Sequence, residues 1–453
     1  MKLSHTRAAM SAVFDDPNLV GSAGLVPLMR LAESCRLPEA ASRLTVPGPV
    51  GANPAAKIGT IVAGMAAGAD CIDDLDQLRH GGMPRLFGGI RAPSTIGSFL
   101  RGFTMGQLRQ LDQLNAAVLG AVAASTPLLP DLDRICLVDI DDTIRQVYGY
   151  AKQGAEHGYT HVRGLNALLG IISTPTSAPV IATCRLRRGA APSARRAASL
   201  VAASVRQAKR LGADPAAGLL LVRMDAGFYR SDILAAVITG GARFSVTARQ
   251  TSPVRQAIGQ IPEQAWVPIR YPNAICDPET GELISEAEVA ETPFTAFAGP
   301  PARRPTHGRL IVRRVRRLHP AGDTQPGLIQ AYRYHAAFTD SSLTMLRAES
   351  LHRGHAVVEQ LIADLKHGPL AHLPSGRFPA NAAWLTLAAV AHNLLRGLAV
   401  LASDSHALAR TTTLRQQLIN LPARIATTAR RLILHLPARW RWQHPWLQAF
   451  HPT

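Results

Sequence analysis

The sequence predicts an α/β protein with a mixed sheet, flanking helices and a helical region ahead of the sheet. Apolar residues recur at helical spacing up to about residue 124. After the proline-rich stretch Pro127–Pro130 the spacing becomes that of strands, and strand-like segments then alternate with helical ones. A chain of 453 residues, 47% of them hydrophobic, is long enough for two or three domains around a large core.

The first domain predicted is helical and covers residues 1–126. Leu25, Leu28 and Leu31 form one helical stripe, and Pro93-Ser94-Thr95-Ile96 is typical of a helix start. Helices of this length joined by Gly/Pro turns suit either a small helix-turn-helix-like module that binds DNA or a bundle that packs against the next domain.

The second domain predicted covers residues 130–402 and contains the sheet. Three strands, a helix and further strands follow one another, which is the order of a ribonuclease-H-like core. The elements expected are strands at Arg134–Thr143, Leu168–Ile172, Val180–Leu186, Leu219–Asp225 and Ala242–Ala248, and helices at Ser193–Leu211, Ser231–Ile238, Ser342–His367 and Asn381–Leu401.

Two further regions are set apart by composition. Residues 262–340 contain short strand-like runs between Pro/Gly turns and are predicted to form a β-strand insertion within the second domain, with strands at Trp266–Tyr271, Thr292–Phe297, Leu310–Val315 and Leu328–Phe338. Residues 403–453 are predicted to form a basic helical tail; after Asp404 they contain no acidic residue.

The charge and the cysteines narrow the function. A net charge of +18 favours a polyanionic partner, nucleic acid before a membrane surface, although Arg enrichment from a GC-rich genome is the alternative source. The five cysteines form no CxxC pair, which argues against a zinc ribbon or a disulfide framework and fits a reducing cytoplasm. The apolar run Leu385–Leu401 is interrupted by His392, Asn393 and Arg396, so we expect a buried helix there.

The predicted strand Arg134–Thr143 contains several acidic residues. Side chains alternate along a strand, so Asp139 and Asp141 should share one face and Asp142 should face away. Asp225 ends a second apolar strand, and Glu359 lies on a helix with Lys366 two turns later. Carboxylates at the ends of buried strands are costly to desolvate unless a cation accompanies them, and oxygen ligands suit divalent cations. Two such ions about 3.5–4 Å apart support in-line phosphoryl transfer.

Several short motifs resemble those of a known family, and the resemblance runs from about Gly24 to Arg439. They are Leu137–Thr143, Tyr148–Ala155 with Gly158-Tyr159, Leu186–Gly189, Arg223–Phe228 and the helix from Glu359 to Lys366. The chain resembles DDE transposases of the IS1380 group, within the IS4-like set. The resemblance implies a ribonuclease-H-like catalytic domain, catalytic roles for Asp141, Asp225, Glu359 and Lys366, and two Mg²⁺ or Mn²⁺ ions per site.

Two departures accompany this resemblance. The broader family has Tyr and Arg ahead of the Glu, where this chain has His352 and His355, with Arg353 nearby. The first metal ligand is also open, because Asp141 has the family's spacing to Thr143 while Asp139 points the same way. We therefore include Asp139 with Asp141, Asp225 and Glu359 among the candidate metal ligands.

The implied partner is double-stranded DNA, as transposon ends and as target, bound by a homodimer with no membrane association. The protein would act in the cytoplasm at the nucleoid. The arginines predicted to contact DNA are Arg303, Arg304, Arg313, Arg314, Arg316, Arg317, Arg353, Arg430 and Arg431.

The sequence also allows other functions. Asp139-Ile-Asp141-Asp142-Thr143 also fits the DxDxT signature of haloacid-dehalogenase-like phosphatases, in which the first Asp is a nucleophile. Other possibilities are a DNA-binding protein with a decayed transposase core and a nuclease of the same fold that cuts without joining.

Overall fold

The computed structural model of the protein describes residues 4–5, 9–158, 161–276, 283–299, 304–316 and 332–452, with the backbone alone at 271–276, 283–285 and 316. After a short strand, its N-terminal part is helical, as predicted. The elements are β1 (Leu19–Val20), α1 (Leu25–Ser34), α2 (Leu37–Ser42), α3 (Pro54–Ala67), α4 (Met83–Leu86), α5 (Pro93–Arg101) and α6 (Met105–Ser125).

The central part alternates strands and helices. Its elements are β2 (Ile135–Gln146), β3 (Glu156–His157), β4 (Arg163–Ser173), β5 (Val180–Arg188), α7 (Ala197–Arg210), β6 (Leu219–Met224), α8 (Ser231–Thr239), β7 (Arg243–Thr247) and α9 (Ser252–Gly259). The predicted segments are all found, although β2 and β4 are longer than expected. Pairing with a neighbouring strand extends both past the apolar residues that signalled them.

The strands of this part form a mixed sheet. β2 runs parallel to β6, and β6 runs parallel to β7. β4 pairs with β2 and with β5 in antiparallel fashion. The resulting order β5-β4-β2-β6-β7 is consistent with a ribonuclease-H-like core. Because β2 and β6 are parallel neighbours, residues just beyond their paired stretch lie at the same end of the sheet.

The predicted β insertion continues this sheet. Its strands are β8 (Val267–Cys276), β9 (Leu283–Ala296), β10 (Thr306–Arg316) and β11 (Tyr332–Thr339). β11 pairs with β7, with Phe338 opposite Val246, so the strands from β2 to β11 make one ten-stranded sheet. The predicted strand Leu328–Phe338 begins outside the described residues.

The long helix predicted at Ser342–His367 is divided. It consists of α10 (Met345–Arg353) and α11 (Val357–Lys366), joined by a 3-10 turn at Gly354–Ala356. Glycine is the weakest helix former after proline, which accounts for the position of the break.

The last helix of the core is α12 (Phe378–Ala402). It is long and apolar enough to cross a membrane by length and composition, but most of it is buried inside the protein, in agreement with the predicted buried helix. It contacts α1, α3, α6 and β5. One hydrophobic core therefore continues from the N-terminal helices into the sheet.

The C-terminal region departs from the predicted helical tail. It contains α13 (Asp404–Ala407), α14 (Thr411–Leu414), β12 (Ala423–Thr428), β13 (Arg431–His435) and α15 (Gln443–Phe450). β12 pairs with both β1 and β13, so a helix is the wrong prediction for residues 423–435. Ala423 and Ile425 are buried while Arg424 between them is exposed, a period of two that basic composition conceals.

A buried amide joins α12 to the edge of the sheet. The Asn393 side chain accepts a hydrogen bond from the Ile181 amide at 2.8 Å and donates one to the Ile181 carbonyl at 2.9 Å. It also donates to Oδ1 of Asn115 on α6 at 3.2 Å. The Ile181 amide thus has a side-chain acceptor, and the Ile181 carbonyl has two donors, since Asn115 Nδ2 also lies 3.2 Å from it.

We predict that Asn393→Leu lowers the free energy of unfolding by about 1–3 kcal/mol, because the buried Ile181 amide loses its acceptor. Urea denaturation followed by circular dichroism measures this change. Gln448→Leu, at an exposed position of α15, is the control and should leave the midpoint unchanged. Equal midpoints for the two variants would contradict the prediction.

Candidate active site

Two acidic residues meet where β6 leaves the sheet. Ile140 on β2 pairs with Met224 on β6, so Asp141 and Asp225 are the next residues on adjacent parallel strands. β6 ends at Met224, whereas β2 continues to Gln146. Asp225 caps a 3-10 turn, in which its Oδ1 accepts a hydrogen bond from the Gly227 amide at 2.9 Å. Both carboxylates thus share one end of the β2–β6 pair.

The electrostatics of these carboxylates favour a cation. Burial raises the pKa of Asp141 to about 6; His355 opposes this, and the charges of Asp225 and Asp142 add to it. Desolvation and the charge of Asp142 also raise the pKa of Asp225, which nonetheless keeps an exposed face. In the described parts of the chain, no lysine or arginine forms an ion pair with either group. Accessible carboxylates that repel one another are a donor set that fits a hard divalent cation.

The helix α11 turns one face toward Asp141. His355, in the turn before α11, affects the pKa of Asp141. At the other end of α11, burial and the charge of Arg145 lower the pKa of Lys366, while the charge of Asp141 opposes them. Glu359 lies between His355 and Lys366 on this face, by helical spacing.

Glu359 does not complete a metal-binding group in this structure. It is exposed, and its donor atoms do not lie with those of Asp141 and Asp225 within 4.8 Å of one another. Among the described residues, Asp70, Cys71 and Asp74 meet that spacing, but Asp74 accepts hydrogen bonds from the amides of the other two and so caps a turn. The structure therefore places Asp141 and Asp225 at one end of the β2–β6 pair, with Lys366 near Asp141, and leaves Glu359 exposed on α11.

Asp139 has partners unlike those of a metal ligand. It is fully buried, and Arg223, itself 2% exposed, donates from Nε to Oδ1 and from Nη2 to Oδ2, both at 2.7 Å. His355 Nδ1 lies 2.8 Å from Oδ1. Burial alone would raise the pKa of Asp139, but Arg223 and His355 hold it below its ordinary value. Because both oxygens are occupied by cationic groups, this geometry argues against Asp139 as a metal ligand and supports Asp141.

The two histidines at the unusual positions have different environments. His352 lies between Ser245 Oγ, 2.9 Å from Nδ1, and Thr247 Oγ1, 3.1 Å from Nε2, and burial lowers its pKa to about 3. Burial would also lower the pKa of His355, but the hydrogen bond and charge of Asp139 together with the charge of Asp141 raise it. His355 can therefore be a cation beside the acidic strand, while His352 is a neutral packing residue.

Asp142 faces away from Asp139 and Asp141, as expected. It forms an ion pair with Arg187, which is itself buried, and accepts hydrogen bonds from Asn166 Nδ2 at 2.8 Å and Ser193 Oγ at 3.2 Å. These contacts fasten β2 to β4 and β5.

The family model for the transposase DDE domain, group 1, matches residues 4–451. The chain belongs to this family of DDE transposases. No curated protein matches the chain. The family match spans nearly the whole chain, so it includes the acidic strand ends, the sheet and the helices that flank them.

Family membership removes the phosphatase alternative. The structure agrees, because the proposed nucleophile Asp139 is fully buried and bound by Arg223, where no phosphate ester can reach it. A transposase acts on DNA, and this chain therefore has a DNA partner.

The arginines predicted to contact DNA fall into separate groups. Arg303 and Arg317 lie outside the described residues, as does the side chain of Arg316. Arg304 is exposed, and Arg430 and Arg431 are exposed around the turn between β12 and β13. Arg313 lies 3.7 Å from Glu349, which also accepts a hydrogen bond from Arg353 Nε at 3.1 Å.

Arg314 is a correction to the DNA-contact prediction. Its side chain is 4% exposed and donates to Glu288 at 2.7 Å and to Glu263 at 2.8 Å. The guanidinium also lies 4.3 Å from the Trp266 ring centroid and 4.4 Å from that of Tyr332. A cation enclosed by two carboxylates and two rings stabilises the sheet extension and is not free to bind phosphate.

Arg223 and Arg145 have contacts that no local sequence pattern predicts. Arg223 lies directly opposite Asp139 in the parallel register, a signal that appears once the two strands are known to be neighbours. Arg145 shares the strand face of Asp141 and acts on Lys366, and its Nε is buried without a hydrogen-bond partner in the described structure.

We predict that Asp141→Asn stabilises the metal-free transposase at pH 7.5 by about 1–3 kcal/mol, since one pKa unit corresponds to about 1.4 kcal/mol. The pKa of Asp141 is raised to about 6 on folding, so its ionised form disfavours the folded state above that pH. The gain should shrink as the pH falls below 6, where folded Asp141 takes up a proton. Urea unfolding in the presence of a chelator at several pH values measures it.

The matched control for this measurement is Asp15→Asn, at an exposed position away from the sheet. A destabilised Asp141→Asn variant, or a gain that does not depend on pH, would show that Asp141 is not under the repulsion described here.

Proposed function

We propose that this transposase belongs to the IS1380 group and cuts DNA at the ends of an insertion sequence, then joins the freed ends to target DNA. The observation that carries the proposal is the pair Asp141 and Asp225, on adjacent parallel strands, with raised pKa values and, among the described residues, no lysine or arginine in an ion pair with either. Such a pair suits a site that takes up cations together with a polyanionic substrate.

Asp141 and Asp225 would hold the metal ions, with Glu359 as the third ligand from α11. Mg²⁺ or Mn²⁺, two ions per site, would supply activation of the attacking oxygen and neutralisation of the leaving oxygen when bound. Lys366 lies near Asp141 and would donate to a phosphate oxygen next to the scissile bond. Asp139 and Arg223 would keep the strand that carries Asp141 in place.

The reaction has two phosphoryl transfers. Water attacks the phosphodiester at the element's boundary, which leaves a 3′-hydroxyl on one side and a 5′-phosphate on the other. The 3′-hydroxyl then attacks a phosphodiester of the target and displaces a new 3′-hydroxyl. Exposed Arg304, Arg430 and Arg431 are candidates for backbone contacts in a homodimer that joins two element ends, acting in the cytoplasm at the nucleoid.

We expect Asp225→Asn to lower cleavage of DNA carrying the element's ends by at least about 100-fold, because even partners of metal ligands cost about 10–100-fold when removed. The assay is gel electrophoresis of labelled DNA with Mg²⁺ or Mn²⁺. Asp214→Asn, in an exposed loop before β6, is the control and should cut like the wild type.

The outcomes separate the alternatives. Binding without cleavage by the wild type would favour a DNA-binding protein with a decayed core, and cleavage without joining would favour a nuclease. Cleavage that survives Asp225→Asn would place the active site elsewhere.

Metal binding should weaken as the pH falls through about 6, because protonated Asp141 cannot ligate a cation. Calorimetric titration of Mn²⁺ into the protein at pH 7.5 and at pH 5.5 measures the change, with Asp141→Asn as the variant that should lose the dependence. Equal Mn²⁺ affinity at both pH values in the wild type would exclude Asp141 as a ligand.

A further inference from the structure

A cleft of about 540 Å³ lies beside the far end of β2 and contains none of the residues assigned above to the active site. One wall comes from the N-terminal helical region, around Cys71 and Arg101. The second is the end of β2 and the turn that follows it, from Gln146 to Tyr148, and the third is the loop after α11, from Ala371 to Pro374. Its volume is within the range of about 300–1,000 Å³ found for small-molecule sites, so it suits single nucleotides and not a duplex.

The walls of the cleft are fastened to one another. The Lys152 ammonium donates to the Leu373 carbonyl, and Arg377 Nη1 donates to the Arg101 carbonyl at 2.7 Å. Arg163 donates to the carbonyls of Gly149 at 2.8 Å and Tyr150 at 3.1 Å. The turn that carries Tyr148 is therefore held in place before any ligand arrives, which lowers the entropic cost of binding.

Exposed aromatic rings stand at the mouth of the cleft. Tyr148 lines it and is 75% exposed, and Tyr150, two residues along the same turn, is fully exposed. These rings are accessible to a ligand from solution. Unpaired nucleic-acid bases stack on aromatic side chains whatever their sequence.

A cationic path leads from the acidic strand ends to the cleft. Asp141 and Gln146 are on the same strand, about 17 Å apart at about 3.3 Å per residue, a span of a few nucleotides. Arg145 lies between them on the face of Asp141, and its charge lowers the pKa of Lys366. Two neighbouring cations on this side of the sheet suit the phosphates of a DNA strand that runs along β2.

Charged groups of both signs lie at the cleft. Asp73 lines the wall of the N-terminal region, and Asp70 forms an ion pair with His372 at 2.8 Å. The Lys152 ammonium also lines the cleft, but it is already bound to the Leu373 carbonyl. Because Tyr148 lines the cleft, we assign the base to it, and we assign the phosphates to the side of Arg145 and Lys366.

We propose that this cleft binds unpaired nucleotides at a DNA end, with a base stacked on Tyr148 and the adjoining phosphates on Arg145 and Lys366. The proposal rests on the proposed function, because it assumes that the strand held at Asp141 is DNA. It adds a binding site for single-stranded DNA next to the site of cleavage.

The experiment compares full-length protein on labelled duplexes with a blunt end or a short 3′ or 5′ overhang, without divalent metal so that no cleavage occurs. Fluorescence anisotropy measures affinity, and 2-aminopurine in the overhang reports stacking as a loss of its fluorescence. We expect tighter binding of an overhang than of the blunt end. Tyr148→Ala should lose about tenfold of that preference and the 2-aminopurine signal, while Tyr148→Phe keeps both.

Two further variants complete the design. Arg145→Gln should weaken overhang binding and flatten its dependence on salt, because one phosphate contact is lost. Phe14→Ala removes a fully exposed aromatic ring away from the cleft and should change nothing.

Each result bears on the proposal. Equal affinity of the wild type for blunt and overhanging ends, or an overhang preference that survives Tyr148→Ala, would overturn it and leave the proposed transposase activity standing. A wild type that binds neither duplex would contradict DNA recognition itself, and with it both proposals.

Discussion

The buried ion pair between Asp139 and Arg223 is the contact on which the geometry of the site depends. It joins β2 to β6 across the parallel register, one residue before the strands diverge. Arg223 Nη1 also donates to the Leu351 carbonyl at 2.6 Å, so the same guanidinium holds α10 against the sheet. His355 contacts the other side of Asp139 and positions the start of α11. Removing one partner of such a pair leaves a buried charge without compensation, which is among the most destabilising changes a core can undergo.

Charge is distributed unequally between the acidic groups of β2. Asp139 and Asp142 each have an arginine of their own, at 2.7 Å for Arg223 and in a close pair for Arg187. Asp141, between them in sequence, forms no ion pair with an arginine in the described structure and is repelled by Asp225. The structural carboxylates are therefore neutralised within the protein, whereas the candidate catalytic pair is left for a partner from solution. The presence or absence of an arginine partner thus distinguishes Asp141 from Asp139 and Asp142, which the sequence alone does not.

Much of the fold follows from local pattern. The apolar runs at Val180–Leu186 and Leu219–Asp225 predict buried strands, and the spacing of apolar residues in α7 and α12 predicts helices. The family resemblance correctly directed attention to a transposase. The candidate residues Asp141, Asp225 and Lys366 could be named in advance because each lies at a definite place in a strongly patterned element, and the structure places Asp141 and Asp225 at one end of the β2–β6 pair, with Lys366 near Asp141.

What sequence reasoning missed depends on contacts between distant segments. The role of Arg314 could not be seen, because its carboxylate partners Glu263 and Glu288 lie on other elements. The pair of Asp139 and Arg223 requires knowledge that β2 and β6 are neighbours in register. The exposure of Glu359 depends on how α11 packs against β2, which local sequence does not show. In each case local propensity was sound, and a tertiary contact decided the outcome.

The pairing of β1 with β12 has a consequence for how the chain reaches its final form. Leu19 pairs with Arg424 and Val20 with Ala423, although these strands lie near opposite ends of the described chain. Contacts between such remote segments form late, because the intervening chain must first be ordered. During synthesis the edge of β1 stays open until β12 has left the ribosome. A copy of the protein without β12 would keep that edge and the buried face of Val20 exposed, and quality-control proteases recognise such surfaces.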